Sequence, residues 1–207
     1  MQNGQRFYTK PGEDVAMGGA AAMGATLRDL RNRAGITQRD LAAREGLHRN
    51  YLGALERGTV ANPGLATASR LARALDVSVA TLAESFVRPM PASRAVARGA
   101  RPLPLTLAGR TPSDAIPGAP ALGRALRLLR RRRDLTRSAL ADVTGMHKNY
   151  IGSLEEGAIA SPGLLTVTRL VHGLHGPGRH ELDQIATSVG VLACVFAGEP
   201  VQVRAAA

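Results

Sequence analysis

The segment GLHRNYLGALERG at residues 46–58 returns as GMHKNYIGSLEEG at 145–157. The correspondence extends without a gap from residues 24–75 onto 123–174, with roughly half the positions identical. Two copies are too few for a solenoid, which needs about three or more repeats to bury a continuous core. Each copy is therefore expected to be a small domain, and the chain a tandem pair.

Charge narrows what such a pair meets. The 207 residues carry 27 Lys and Arg against 16 Asp and Glu, a formal charge of +11, usual for proteins whose partner is a polyanion. Double-stranded DNA is the leading candidate. A membrane surface offers the same counter-charge, but no apolar run reaches the roughly 18 residues of a spanning helix. Residues 1–24 also lack the apolar centre of a signal peptide, so a cytoplasmic, nucleoid-associated location is expected. The single cysteine, Cys194, sits in the apolar run 189–197, where a buried structural thiol is expected rather than a reactive one. Only Lys10 and Lys148 are lysines, and Arg, Ala and Gly abound, as in proteins of GC-rich bacterial genomes.

Apolar spacing predicts an all-α fold. Residues 1–23 have no sustained apolar period and read as a disordered arm. Leu27 and Leu30 then share one face of a first helix that ends near Gly35. Thr37 fits an N-cap for a second helix burying Leu41 and Ala42, which Gly46 closes. His48 opens a third, containing Leu52 and Leu55 and ending at Gly58. The stretch Asn62-Pro63-Gly64-Leu65 signals a turn and a fourth helix through Leu71 and Leu75. Ser78 caps a short fifth helix ending at Phe86. The first domain thus spans 24–86.

From 87 to 120 prolines and glycines multiply and the apolar period disappears, the signature of a flexible linker. It is basic as well, and Arg98-Gly99-Ala100-Arg101-Pro102 is suited to tracking a phosphate backbone or a narrow minor groove. The second domain is expected over 121–198, followed by a tail at 199–207. Its last helix, at Ser188 to Phe196, arrives late relative to its counterpart at Ser78 to Phe86, which places an insertion near 175–185. Cys194 and Val195 replace Glu84 and Ser85 there, so more of that helix is expected to be covered, by its own domain or by a partner.

The succession Thr37-Gln38-x-x-Leu41-Ala42, Gly46, a polar helix start, Leu55-Glu56-x-Gly58 and Asn62-Pro63 before a leucine-spaced helix resembles the Cro/lambda-repressor-type (XRE) helix-turn-helix family. The pattern occurs twice. What it implies is two five-helix helix-turn-helix domains joined by the linker, each presenting its third helix to the major groove while the preceding helix crosses the backbone.

The third helix has suitable chemistry. The spacing of Leu52 and Leu55 leaves His48, Arg49 and Asn50 exposed; arginine can pair bidentately with guanine and asparagine with adenine. The second copy offers His147, Lys148 and Asn149. On the resemblance, Ala54 and Ser153 also face the groove one turn further along. Gly53 and Gly152 are expected to leave bare backbone there, at a cost of about 1 kcal/mol each relative to alanine. Gln38 matches the family's phosphate-contacting glutamine, and Arg137 takes its place in the second copy, adding charge to the backbone contact. Tyr51 and Tyr150 suit either packing or a hydroxyl–phosphate bond. The resemblance implies structural ion pairs between Arg31 and Glu56 and between Arg130 and Glu155, not catalytic acids.

Other constellations carry less. Arg130 to Arg133 point in different directions on a helix, so at most two can face one DNA strand. His172, His175 and His180 have irregular spacing and no neighbouring cysteine, so no metal is expected. No nucleophile–base set, phosphate-binding loop or cofactor motif occurs, and the expectation is a non-enzyme without cofactor. The sequence reads as a sequence-specific transcriptional regulator, by default a repressor that occludes a promoter, acting as monomer or homodimer. Tethered domains could serve direct repeats as well as palindromes. An activator whose second domain contacts RNA polymerase or another protein, and an architectural DNA protein, are the two other readings.

Overall fold

A computed structural model describes residues 13–87, 118–175 and 182–198. Among them are ten α-helices, five in each repeat. The first unit contains α1 (Glu13–Arg33), α2 (Gln38–Arg44), α3 (Arg49–Glu56), α4 (Leu65–Ala74) and α5 (Val79–Val87). The second contains α6 (Ala119–Arg132), α7 (Arg137–Thr144), α8 (Lys148–Glu155), α9 (Leu164–His175) and α10 (Leu182–Ala197). Most of the segment expected as a linker, the Arg98 to Pro102 motif, His180 and the expected tail lie outside the described residues.

Helix boundaries follow the capping chemistry. The Thr37 hydroxyl accepts the Asp40 amide at 3.1 Å and donates to the Asp40 carboxylate at 2.7 Å, closing the start of α2. Thr136 does the same for the Ala139 amide of α7 at 3.0 Å. Where α1 crosses α3, a side chain at Gly24 would drive into the carbonyls of Leu55 and Glu56; Gly123 stands against Leu154 and Glu155 in the same way. The first and third helices of each unit touch backbone to backbone there, which only glycine permits.

Three expectations are corrected. Residues 13–23, expected in a disordered arm, belong to α1, whose buried Ala20, Met23 and Leu27 recur at helical spacing. The run Ala20-Ala21-Ala22 has high helix propensity, and the stripe is weak in the sequence because Gly19, Ala20 and Gly24 on its buried side are small. The last helix of the second copy begins at Leu182 and not at Ser188, so that part of the expected insertion near 175–185 extends α10, with Ile185, Val189 and Leu192 buried on one face. His175, at the end of α9, is buried and hydrogen bonded to the Ser188 hydroxyl of α10 at 3.0 Å.

The third correction concerns the relation of the two units. They were expected as separate domains on a flexible tether, but α5 packs against α10 and also touches α9, while α10 reaches α4. One buried apolar cluster runs from Ala20 to Ala193 through both units. The apolar α10 surface that composition left for its own domain or a partner is covered in part by α5, and Cys194, expected as a buried thiol, is half-buried.

Candidate nucleic-acid interface

Each third helix begins with an imidazole. His48 Nδ1 accepts the Asn50 amide at 3.2 Å, and His147 Nδ1 accepts the Asn149 amide at 3.2 Å. Both histidines are thus N-caps of α3 and α8. The sequence reading placed them among base-contacting residues and missed this role. Because Nδ1 is an acceptor, the ring proton sits on Nε2, and a donor is what each ring can offer outward. A non-helical residue with a nitrogen acceptor just before an exposed helix was the available signal.

The residues that follow are presented to solvent. Arg49 and Asn50 are exposed on α3, as are Lys148 and Asn149 on α8, while Ala54 and Ser153 one turn on are half-buried. The Ser153 hydroxyl donates to the Asn149 carbonyl at 3.1 Å, so what remains outward is an acceptor. Tyr51 packs against the apolar core, whereas Tyr150 is 38% exposed. Gly53 and Gly152 are buried, not bare: a side chain at Gly53 would crowd the Arg57 guanidinium, and one at Gly152 that of Arg137. Their small size makes room for those cations.

Beneath each presenting helix lies a buried carboxylate. Arg31 approaches Glu56 side-on, with Nε on Oε1 at 2.6 Å and Nη2 on Oε2 at 3.0 Å, and its Nη1 donates to the Ile36 carbonyl at 2.8 Å. Arg130 repeats this on Glu155 at 2.5 and 3.0 Å and on the Leu135 carbonyl at 2.7 Å. Such two-pronged, desolvated pairs fix geometry more than they add stability. Each ties the first helix, the loop after it and the end of the third helix into one frame. Burial by itself would push the Glu56 carboxyl up. The hydrogen bonds from Arg31 and Gln38, with the charges of Arg31 and Arg28, outweigh it and hold the carboxyl below its usual range. Glu155 is lowered in the same balance by Arg130 and Arg137.

Gln38 and Arg137, expected on DNA phosphates, are turned into this network. Gln38 Nε2 donates to Glu56 Oε2 at 2.7 Å. Arg137 donates through Nε to Glu155 Oε2 at 3.0 Å and through Nη2 to Glu156 Oε1 at 3.3 Å, with 38% of its side chain exposed. Each Oε2 already accepts from Arg31 or Arg130, and its remaining acceptor capacity is taken by the side chain at this position. The consequence differs between units. Where the first has an exposed Arg57 after α3, the second has Glu156, which draws in Arg137. A shallow depression lined by Arg137, Lys148, Asn149, Gly152, Ser153 and Glu156 marks this surface.

Among the described residues no helix is long and apolar enough to cross a membrane, and no group of three or more His, Cys, Asp or Glu side chains is arranged to hold a metal. Residues 27–82 match a family described as "Helix-turn-helix", which is of the XRE type, and residues 121–185 match one described as "Helix-turn-helix domain". No curated protein and no solved structure matches the chain.

Proposed function

Starting from a chain that carries two helix-turn-helix domains, the first of XRE type, a combination that suggests a DNA-binding transcription regulator, we propose that it is a sequence-specific repressor. Its α3 and α8 read two neighbouring half-sites. The observation that carries this reading is the paired presentation of His48, Arg49 and Asn50 and of His147, Lys148 and Asn149 at two exposed, identically capped helix starts. In the helix-turn-helix geometry these are the positions that meet base edges. Arg49 supplies a bidentate donor for guanine and both asparagines a donor–acceptor pair for adenine. The exposure of Arg57, of Tyr150 and of part of Arg137 supports assigning them to phosphates at the rim. Bound across a promoter, such a molecule excludes polymerase.

An activator contacting polymerase through α10 loses much of its motive, since α5 takes part of that apolar surface. Broad basicity alone would suffice for an architectural protein, but two distinct sets of base-reading side chains argue for selectivity. The deciding measurement is affinity for selected against random duplexes at physiological salt. A sequence-specific regulator prefers its selected site by about 10³-fold or more; equal affinity for both removes the sequence-reading proposal.

A further inference from the structure

The two units meet through equivalent residues. Leu65 donates its amide to the Pro162 carbonyl at 2.7 Å, and Leu164 donates to the Pro63 carbonyl, also at 2.7 Å. In the repeat, Leu65 corresponds to Leu164 and Pro63 to Pro162, so the two bonds are one contact made in both directions. Between them Gly64 and Gly163, again equivalent, form an antiparallel bridge. A second meeting of counterparts occurs between α5 and α10, where Gly190 lies against Ala80. The alignment of the last helices equates these two residues.

Reciprocal contact between equivalent positions is the property of an isologous interface, in which a two-fold axis passes close to every residue that touches its own counterpart. Units related by translation along DNA, as on a direct repeat, make heterologous contacts, in which residue i meets j but j does not meet i. Two separate points, one at the glycine bridge and one at Ala80 and Gly190, therefore define a local two-fold axis within a single chain. A duplex matches such an axis with an inverted repeat.

The symmetry is imperfect in a directed way. Asn62 reaches across the axis, accepting the Leu165 amide at 3.0 Å and donating to the Thr166 hydroxyl at 3.1 Å. It thereby caps the first turn of α9 from the other unit. Its counterpart is the shorter Ser161, and α4 has no side-chain cap. The surfaces presented to DNA differ too, in Arg49 against Lys148 and in Arg57 against Glu156.

We propose that one chain acts as its own dimer and binds a single, polar inverted repeat at one fixed spacing, the packed α5–α10 interface setting the distance between half-sites. This rests on the DNA-reading function proposed above. The test is selection of bound sequences from a random duplex pool by the full chain, with the stoichiometry of the complex measured by analytical ultracentrifugation. A second chain, lengthened by about ten Gly and Ser residues within 88–117, is selected in parallel. The expected result is one chain per duplex and one inverted, unequal repeat with a single spacing, the same for both chains. Five extra base pairs between the half-sites should then weaken binding by about 10²-fold or more, because simultaneous engagement is lost. Direct repeats, several spacings, a preference that broadens in the lengthened chain, or two chains per duplex would each overturn the proposal while leaving DNA reading intact. A pool that yields no preferred sequence would instead overturn the DNA-reading function itself.

Discussion

In the first unit the terminal helix α5 is nine residues long and lies between α1 and α10; in the second its counterpart α10 runs for 16 residues and carries its own contact to α9 through Ser188 and His175. The entry helices differ in the opposite sense, α1 having 21 residues and α6 having 14. The presenting helices α3 and α8, by contrast, are both eight residues long, with the same histidine cap and the same buried carboxylate at the end. Each unit must cover the apolar surface of its terminal helix at the shared interface. The first does so from its N-terminal side, where α1 lays Gly19 against Phe86, and the second by lengthening the interface helix itself. Covering apolar surface is non-directional and can be met by any nearby element, whereas presenting side chains at a helix start needs one geometry.

The comparison is tested hardest at the two carboxylates. Glu56→Ala and Glu155→Ala should each cost about 3–5 kcal/mol in urea denaturation, because each strands buried or partly buried arginine. Glu155→Ala should be the worse, since Arg127, Arg130 and Arg137 all lie within 4 Å of that carboxylate. Equal losses would mean that the contact of Arg137 with Glu155 contributes no more to the frame than that of Gln38 with Glu56.

Core phenylalanines separate the two ways of covering the interface. Phe86 is fully buried and Phe196 half-buried, so Phe86→Ala should cost about 3 kcal/mol and Phe196→Ala about half of that, read as shifts of the urea midpoint. A larger loss at Phe196 would place the main seam of the interface at the end of α10 and not beneath α1.

On selected DNA, Arg49→Ala should weaken binding by about 1–3 kcal/mol, and Lys148→Ala by an amount at the bottom of that range. Lysine offers a point charge without the planar fork that pairs two acceptors on guanine. Gel-shift titrations of both variants on one duplex check this, and a Lys148 effect exceeding that of Arg49 would reverse the proposed order of the two readers.

Asn62→Ala removes a cap that crosses the interface and should cost about 0.5–2 kcal/mol. Ser161→Ala should stay within about 0.5 kcal/mol. Thermal melting of the pair distinguishes them; equal shifts would make the clasp symmetric after all.

The smallest effect expected is in the acid limb of stability. Glu56 and Glu155 both have folded values below the ordinary carboxylate value of 4.5, so the unfolded chain binds protons first as pH falls. Their contribution is present above that value and is lost as pH drops through the folded one. Glu56→Gln should therefore flatten the acid limb of a stability-versus-pH curve in part, with Glu155 supplying the remainder. An unchanged slope would remove Glu56 from the linkage.

Much of the candidate site was legible beforehand because its signals are local. Thr37 marked a helix start by its own capping chemistry, which Thr136 repeats in the second unit, and the leucine spacing of the third helix fixed which side chains faced outward. His48 and His147 were legible as helix openers but not as caps, since an imidazole competes with the hydroxyl and carboxylate residues that usually hold that position. Gln38 and Arg137 are expected to face outward because the resemblance gives Glu56 and Glu155 one arginine partner each, and the sequence does not show that each carboxylate takes a second.

By itself, the sequence determined that the chain is helical, that it is a repeat and that each copy has the helix-turn-helix succession, because periodicity, caps and glycine stops act within a few residues. Tertiary structure alone decided that α1 begins at Glu13, that α10 begins at Leu182, and that the two copies share a core through α5 and α10. Those outcomes depend on which apolar surfaces find each other. The hydrophobic effect rewards burial without specifying the partner, so a face left open in one repeat could as well have met a foreign protein as its own twin. The reciprocal bonds at Gly64 and Gly163 and the meeting of Ala80 with Gly190 are what select the twin.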